Sequence, residues 1–197
     1  MFGKQWKIAI SGKARAGKNT IASLLVEHMN LDDTNSKIIA LADPMKRIAK
    51  AIFPEARDEC LFGPSELRSQ IISNKYVDKM GNPLTHRQFL IDLGAFARLY
   101  NDNVWLHLLV EDARTSKDKL AYIVSDVRFI NEFKFLKDSG FYMIRILRDE
   151  STNIDDISEI EQDSIPNSDF DRIIHNNYSL ESLSLEVKCC AKALKQQ

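Results

Sequence analysis

The stretch Gly12-Lys13-Ala14-Arg15-Ala16-Gly17-Lys18-Asn19-Thr20 constrains this chain more than any other. Before it runs Trp6-Lys7-Ile8-Ala9-Ile10-Ser11, short, apolar and β-branched. After it, apolar residues at 21, 24, 25 and 28/29 repeat at helical spacing. A glycine-flanked loop between a buried strand and an amphipathic helix is the setting that a phosphate-binding loop requires. Gly12 and Gly17 permit backbone angles that turn successive N–H groups into one concavity. The helix start adds unpaired N–H groups and a positive dipole end. Lys18 is spaced to reach the β- and γ-phosphates of a nucleoside triphosphate. Asn19 stands where the motif G-x-x-x-x-G-K-[ST] places a magnesium-binding hydroxyl, and a hydroxyl follows one residue late, at Thr20. An amide oxygen also binds magnesium, directly or through water, so Asn19, Thr20 and the metal are all retained.

Composition narrows the partner. The chain has 197 residues, room for one α/β domain with an ordinary core. Its net charge of −1 gives no general electrostatic grip on a nucleic-acid polymer, which favours a small phosphorylated substrate. Cys60, Cys189 and Cys190 form neither a disulfide framework nor a zinc spacing, so free thiols in a reducing cytoplasm are expected. No leader peptide and no membrane span are expected.

Further along, Ser36 to Ala42 reads as a strand that runs into Asp43-Pro44-Met45-Lys46 and a helix. Asp43 suits an N-cap and Pro44 the first helical turn. Ligands bind at the carboxyl ends of strands in an open α/β sheet, so Asp43 and Lys46 are candidates for contact with an acceptor. A plain capped helix with an exposed lysine is the alternative. Residues 54–87 are broken by Pro and Gly and read as an insertion over the sheet, with a short helix from Ser65 to Ile72. There Arg68 and Arg87 are either phosphate ligands or solvated. Thr85 caps a helix to Arg98, and a further helix runs from Val104 to Ala113 with Trp105 in the core. His107 carries no catalytic signal.

The strand Leu120 to Ser125 ends at Asp126, the place of a magnesium-orienting carboxylate, or of an N-cap. Arg128 is set to neutralise charge on a transferring phosphoryl group, or to form an ion pair. A helix over roughly 130–139, a strand from Phe141 to Leu147 ending at Arg148, and a strand Arg172-Ile173-Ile174-His175 follow. Residues 149–171, acidic and polar, suit a lid that excludes water. The last helix carries Leu180, Leu183, Leu185 and Val187. Alternation of strand and helix throughout predicts a parallel sheet with helices on both faces.

With these pieces in order, the chain resembles the deoxynucleoside monophosphate kinases, chiefly of bacteriophages. The resemblance runs through the loop at 12–20, Ala42-Asp43-Pro44-Met45-Lys46, Leu61-Phe62-Gly63-Pro64-Ser65-Glu66-Leu67-Arg68, Arg87-Gln88-Phe89-Leu90 with Leu93-Gly94, and Trp105. It continues through Ser125-Asp126-Val127-Arg128-Phe129-Ile130-Asn131-Glu132, Arg145-Ile146-Leu147-Arg148, Ser158-Glu159, Glu161-Gln162-Asp163 and Ile174-His175-Asn176-Asn177. The resemblance implies a P-loop NTPase fold: one kinase domain with a five-stranded parallel sheet, an acceptor-binding insertion at 54–104 and a lid at 149–171. It implies transfer of the γ-phosphoryl group of ATP, with magnesium, to a deoxynucleoside monophosphate. Residues 12–20 and Arg148 would then bind ATP. Thr20, Asn19 and Asp126 would support magnesium, and Lys18, Asp126 and Arg128 would carry the reaction. Asp43, Lys46, Arg68, Arg87 and Gln88 would shape the acceptor site. A homodimer in the cytoplasm, the host's if the source is viral, is the family habit. The rival readings are a P-loop kinase of another small metabolite, an ATP-binding regulator without transfer, and a nucleic-acid end kinase, which the near-neutral charge disfavours.

Overall fold

The structure is a computed structural model and describes residues 5–13, 15–149 and 161–196. Ala14 of the loop, Ser158-Glu159 and the first half of the lid-like segment lie outside the described residues. The chain divides into two compact units, Met1–Leu41 with Val110–Gln197, and Ala42–Leu109.

The first unit holds the sheet. Its strands are β1 (Trp6–Gly12), β2 (Ser36–Ile39), β3 (Ala121–Val127), β4 (Tyr142–Leu147) and β5 (Arg172–His175), in the order β2-β3-β1-β4-β5, and all four pairings are parallel. The expected five-stranded parallel sheet is therefore present. Side chains alternate across a strand, and here both faces are buried. Ile8 and Ile10 of β1, Ile144 and Ile146 of β4 and Ile174 of β5 share one core with Ile21 and Leu25 of α1 (Lys18–His28). The final helix, α7 (Leu180–Lys195), adds Leu183, Val187 and Leu194 to that core. Ala9 and Met143, on the alternate face, are equally sealed from water. Leu185 is exposed, because it lies two residues from Leu183 and so on the far side of the helix.

The register sets the site. Ser11 is level with Val127 of β3, and Gly12 with Ile146 of β4. The loops after β1, β3 and β4 therefore leave one edge of the sheet at neighbouring points. Asp126 belongs to β3 itself, not to the loop beyond it, because pairing with β1 continues past a register shift between Ala9 and Ser11.

The second unit contains α2 (Asp43–Ile52), α3 (Asp58–Phe62), a 3-10 helix at Ser65–Ser69 and α4 (His86–Arg98). Helix α5 (Val104–Thr115) follows, and α6 (Ile130–Asp138) lies between β3 and β4. A small core of Ala49, Leu61, Ile72 and Leu90 is joined by Phe53, whose ring meets Tyr76 and Phe89 at 4.6 and 4.7 Å. The helix expected to Ile72 stops at Ser69, where the chain extends so that Ile71 can bridge Thr85. Thr85 caps α4 as expected, accepting from Gln88 N at 3.1 Å. Asp43 is not the cap of α2: Ala42 holds that position, and the Asp43 carboxylate turns to Lys46. Strand β2 also ends at Ile39, earlier than expected.

Among the described residues no helix is long and apolar enough to cross a membrane, and the three cysteines are free.

One partly buried junction ties the β2–β3 edge of the sheet. Tyr122, fully buried, donates its hydroxyl to Asp112 Oδ2 at 2.7 Å, and Lys37 Nζ meets the same oxygen at 2.7 Å. Tyr122→Phe is expected to cost about 1.5–3 kcal/mol of unfolding free energy, the usual scale of a hydrogen bond to a charged group. Urea denaturation measures it, and an unchanged midpoint would show that the junction is structurally idle.

Candidate active site

The loop at the end of β1 is built by close approach. A Cβ on Gly12 would lie 3.1 Å from Ile146 Cβ and 3.2 Å from its carbonyl oxygen. Gly17, at φ +94°, precedes α1, and a Cβ there would lie 2.6 Å from Asn176 Nδ2. Both positions therefore favour glycine, Gly12 for its close approach to Ile146 and Gly17 for its left-handed backbone angle. The loop's carbonyls are engaged by side chains. Lys18 Nζ donates to Gly12 O at 2.6 Å and Lys13 O at 2.8 Å. Gln162 Nε2 donates to Gly12 O at 3.3 Å, Arg148 Nη1 to Arg15 O at 3.3 Å, and Asn176 Nδ2 to Ala16 O at 2.9 Å. Lys13 pairs with Asp163 at 2.8 Å. Asn19 and Thr20 sit exposed on the first turn of α1.

Beside the loop lies a cavity of about 240 Å³, bounded by Gly12, Lys13, Arg145, Arg148, Gln162 and Asp163 among others. Arg145 is 9% exposed, so its charge must be met locally. It donates to Ile165 O at 2.6 Å and Gln162 O at 3.0 Å, lies over the Phe170 ring at 5.2 Å, and has Asp163 at 3.8 Å. Burial pulls the guanidinium below its ordinary value and Asp163 opposes this.

At the end of β3, Asp126 Oδ1 accepts the Leu41 amide at 2.7 Å, while Arg128 is exposed. The turn between them and α6 is fixed by Glu132, whose Oε2 accepts from Arg128 N at 2.8 Å and Phe129 N at 3.0 Å. Glu161 Oε2 accepts from Ile130 N at 3.3 Å. Burial, aided by the nearby Asp126 carboxylate, pushes Glu132 up to about 7 against the pull of the two amides and Arg128.

The five residues expected at the acceptor all belong to the second unit. Lys46 is 5% exposed, contrary to the solvated alternative; its Nζ meets Asp43 Oδ1 at 2.6 Å and lies 5.6 Å from the Phe62 ring centre. Arg68 Nη2 donates to Gly63 O at 3.3 Å, and its Nε is buried without a hydrogen-bond partner among the described residues. Gln88 bonds Asp92 at 2.9 Å, and Arg87 is exposed on α4.

The description of the deoxynucleotide monophosphate kinase family matches residues 65–187, more than half of the chain. The chain belongs to this family. A protein of Acanthamoeba polyphaga mimivirus, provisionally named deoxynucleotide monophosphate kinase, is 28% identical over 202 residues, covering 96% of this chain and 97% of its own length. In this family member, Lys13, Arg15, Ala16, Lys18 and Arg148 come together around the loop. Asp126 and Arg128 lie on the adjoining strand and turn. Reasoning from side-chain chemistry gave no role to Gln162, Asp163, Asn176 or Glu132. Their only signal was their place in the ordered motifs, because Gln162, Asn176 and Glu132 act on backbone groups, and Asp163 on the side chains of Lys13 and Arg145, that no spacing rule reveals.

Glu132 makes a pH test. In the folded chain it holds a proton over a range where the unfolded chain, with a value near 4.5, has released it. Stability is therefore lost as pH rises from about 4.5 to about 7. Glu132→Gln keeps an oxygen for both amides but cannot ionise, so its stability relative to wild type is expected to rise between about pH 5 and about pH 8. Urea melts at the two pH values check this, and a pH-independent difference would refute the assignment.

Proposed function

We propose that this protein transfers the γ-phosphoryl group of ATP to the 5′-phosphate of a deoxynucleoside monophosphate. The observation that carries the reading is Lys18, at the start of α1, in a glycine-bounded loop whose strand lies beside the one that bears Asp126 and leads into Arg128. Membership of the kinase family supports it.

The acceptor phosphate is already ionised near neutral pH, so no general base is required. Positioning and charge neutralisation then carry the reaction. Lys18 would exchange its contacts with the Gly12 and Lys13 carbonyls for the β- and γ-phosphates. The loop at Gly12–Thr20, with Gly17, Arg15 and Ala16, would supply amides to the donor phosphates. Arg148 would lie near the donor phosphates or base, and the cavity beside Gln162 and Asp163 would receive that base. Arg128, exposed and anchored through its backbone by Glu132, would stabilise transferring charge.

The residues fit magnesium of the kind that arrives with a nucleotide. Among the described residues no three His, Cys, Asp or Glu side chains gather as a metal cage. Magnesium in phosphoryl-transfer sites takes few protein ligands and keeps water and phosphate oxygens. Thr20 and Asn19 would hold it, with Asp126 in support. When bound, it neutralises charge on the phosphates.

Asp43, Lys46, Arg68, Arg87 and Gln88 would bind the acceptor. The buried Arg68 Nε without a partner suits a group that awaits an oxyanion. A homodimer belongs to the same reading, and the exposed Phe96, Leu99 and Tyr100 of the second unit suit an apolar contact.

The test is magnesium-dependent ADP formation with dAMP, dGMP, dCMP and dTMP supplied separately, ribonucleotides alongside. Turnover with one or more deoxynucleotides is expected. Silence across the panel with ATP still bound would overturn the reaction. Lys18→Ala is expected to fold normally by circular dichroism and to lose about 10²-fold or more in kcat, the scale of removing one charge-stabilising donor.

A further inference from the structure

Gln162 lines the cavity beside the loop, but the phosphoryl-transfer reading gives its side-chain amide no role. It is 4% exposed, and both of its amide hydrogens are directed at main-chain carbonyls. One is Gly12 O at 3.3 Å, on the last residue of β1; the other is Val127 O at 3.2 Å, on the last residue of β3. A primary amide has two N–H donors, and a carbonyl pair leaves no alternative assignment of its nitrogen and oxygen. Beyond Gly12 lies the loop with Lys18, and beyond Val127 lies Arg128. Gly12 O also accepts Lys18 Nζ, so the same oxygen is shared by the clamp and the lysine.

From this we infer that Gln162 is a positioning residue. Its amide fixes the separation between the loop that carries Lys18 and the turn that carries Arg128, resting on the phosphoryl-transfer reading for its consequence in turnover. Ladder bonds between β1 and β3 end where the strands end, and pairing is already irregular between Ala9 and Ser11. A side chain that binds the carbonyls of the two terminal residues replaces the missing rung. The clamp is itself held from behind. Arg145 of β4 donates to Gln162 O at 3.0 Å and to Ile165 O at 2.6 Å, which fixes the backbone that projects the amide. Asp163, next in sequence, ties Lys13 of the loop. Three consecutive strands, β3, β1 and β4, are thereby joined at their carboxyl ends by one residue and its immediate neighbours.

Two variants separate the clamp from simple packing. Gln162→Met keeps length and volume but has no donor. Gln162→Glu sets an acceptor against two carbonyls when ionised and regains one donor when protonated. Hydrogen exchange read by mass spectrometry needs no activity. In Gln162→Met, peptides covering 12–20 and 126–132 are expected to exchange about tenfold faster or more, with β5 unchanged. Acceleration confined to 161–165 would overturn the clamp. In turnover, kcat is expected to fall about tenfold or more while both KM values stay within about threefold, as for an error in alignment. A folded Gln162→Met with kcat within about twofold of wild type would also overturn it. Should that variant not fold, Gln162→Glu decides: its kcat relative to wild type must rise from about pH 8 to about pH 6, and a flat ratio counts against the clamp. Absence of turnover in wild type itself would instead refute the phosphoryl-transfer reading, and the exchange experiment would still judge Gln162.

Discussion

Everything at the carboxyl edge of the sheet depends on how closely β1 is held between its two neighbours. Gly12 is in register with Ile146 on one side, and Ser11 with Val127 on the other. A Cβ at Gly12 would meet Ile146 at 3.1 Å, closer than ordinary side-chain contact. That contact brings the loop down onto the sheet, so that Lys18 can fold back over the carbonyls of Gly12 and Lys13. It also brings Gly12 O within reach of Gln162. A larger residue at this position would separate the loop from the strand ends that organise it.

The second organising feature is that the loops are fixed by side chains donating to, or accepting from, main-chain groups. Asn176, Arg148, Gln162 and Lys18 donate to carbonyls of residues 12–16, while Glu132 and Glu161 accept amides of the turn after β3. Buried main-chain polar groups outside regular structure must find partners, and irregular turns cannot supply their own. Except for the exposed Arg148, the polar residues that do so are partly or wholly buried, which is why Glu132 shifts; the buried Arg145 likewise needs two carbonyls, a ring face and a carboxylate. Lys46 in the second unit follows the same rule, buried but paired with Asp43.

Much of this was legible in the sequence, for identifiable reasons. The glycine loop, the strand before it and the helix after it follow from local spacing, as do Thr85 as a cap and β5 at Arg172–His175. Local rules failed where a tertiary partner competed. Asp43 has the chemistry of a cap, yet an ammonium three residues on is the stronger attraction for its carboxylate. The helix from Ser65 gave way because Ile71 was drawn into a bridge with Thr85. Of the apolar residues read on the last helix, Leu183 and Val187 join a buried stripe with Cys190 and Leu194, while Leu180 and Leu185 face outward.

The sequence by itself determined the alternation of strand and helix, the place of the phosphate-type loop and the family, because each is written in short-range order or in ordered motifs. Only the tertiary structure decided the strand order, which inserts β3 between β2 and β1 and so puts Asp126 beside the loop. It alone gave Gln162, Asn176 and Glu132 their roles. Those side chains bind backbone atoms that are distant in the chain, as with Asn176 and Ala16, or lie in an irregular turn, as with Glu132 and Arg128. Such contacts leave no periodicity to read, since they exist only once the sheet has brought the strand ends to one edge.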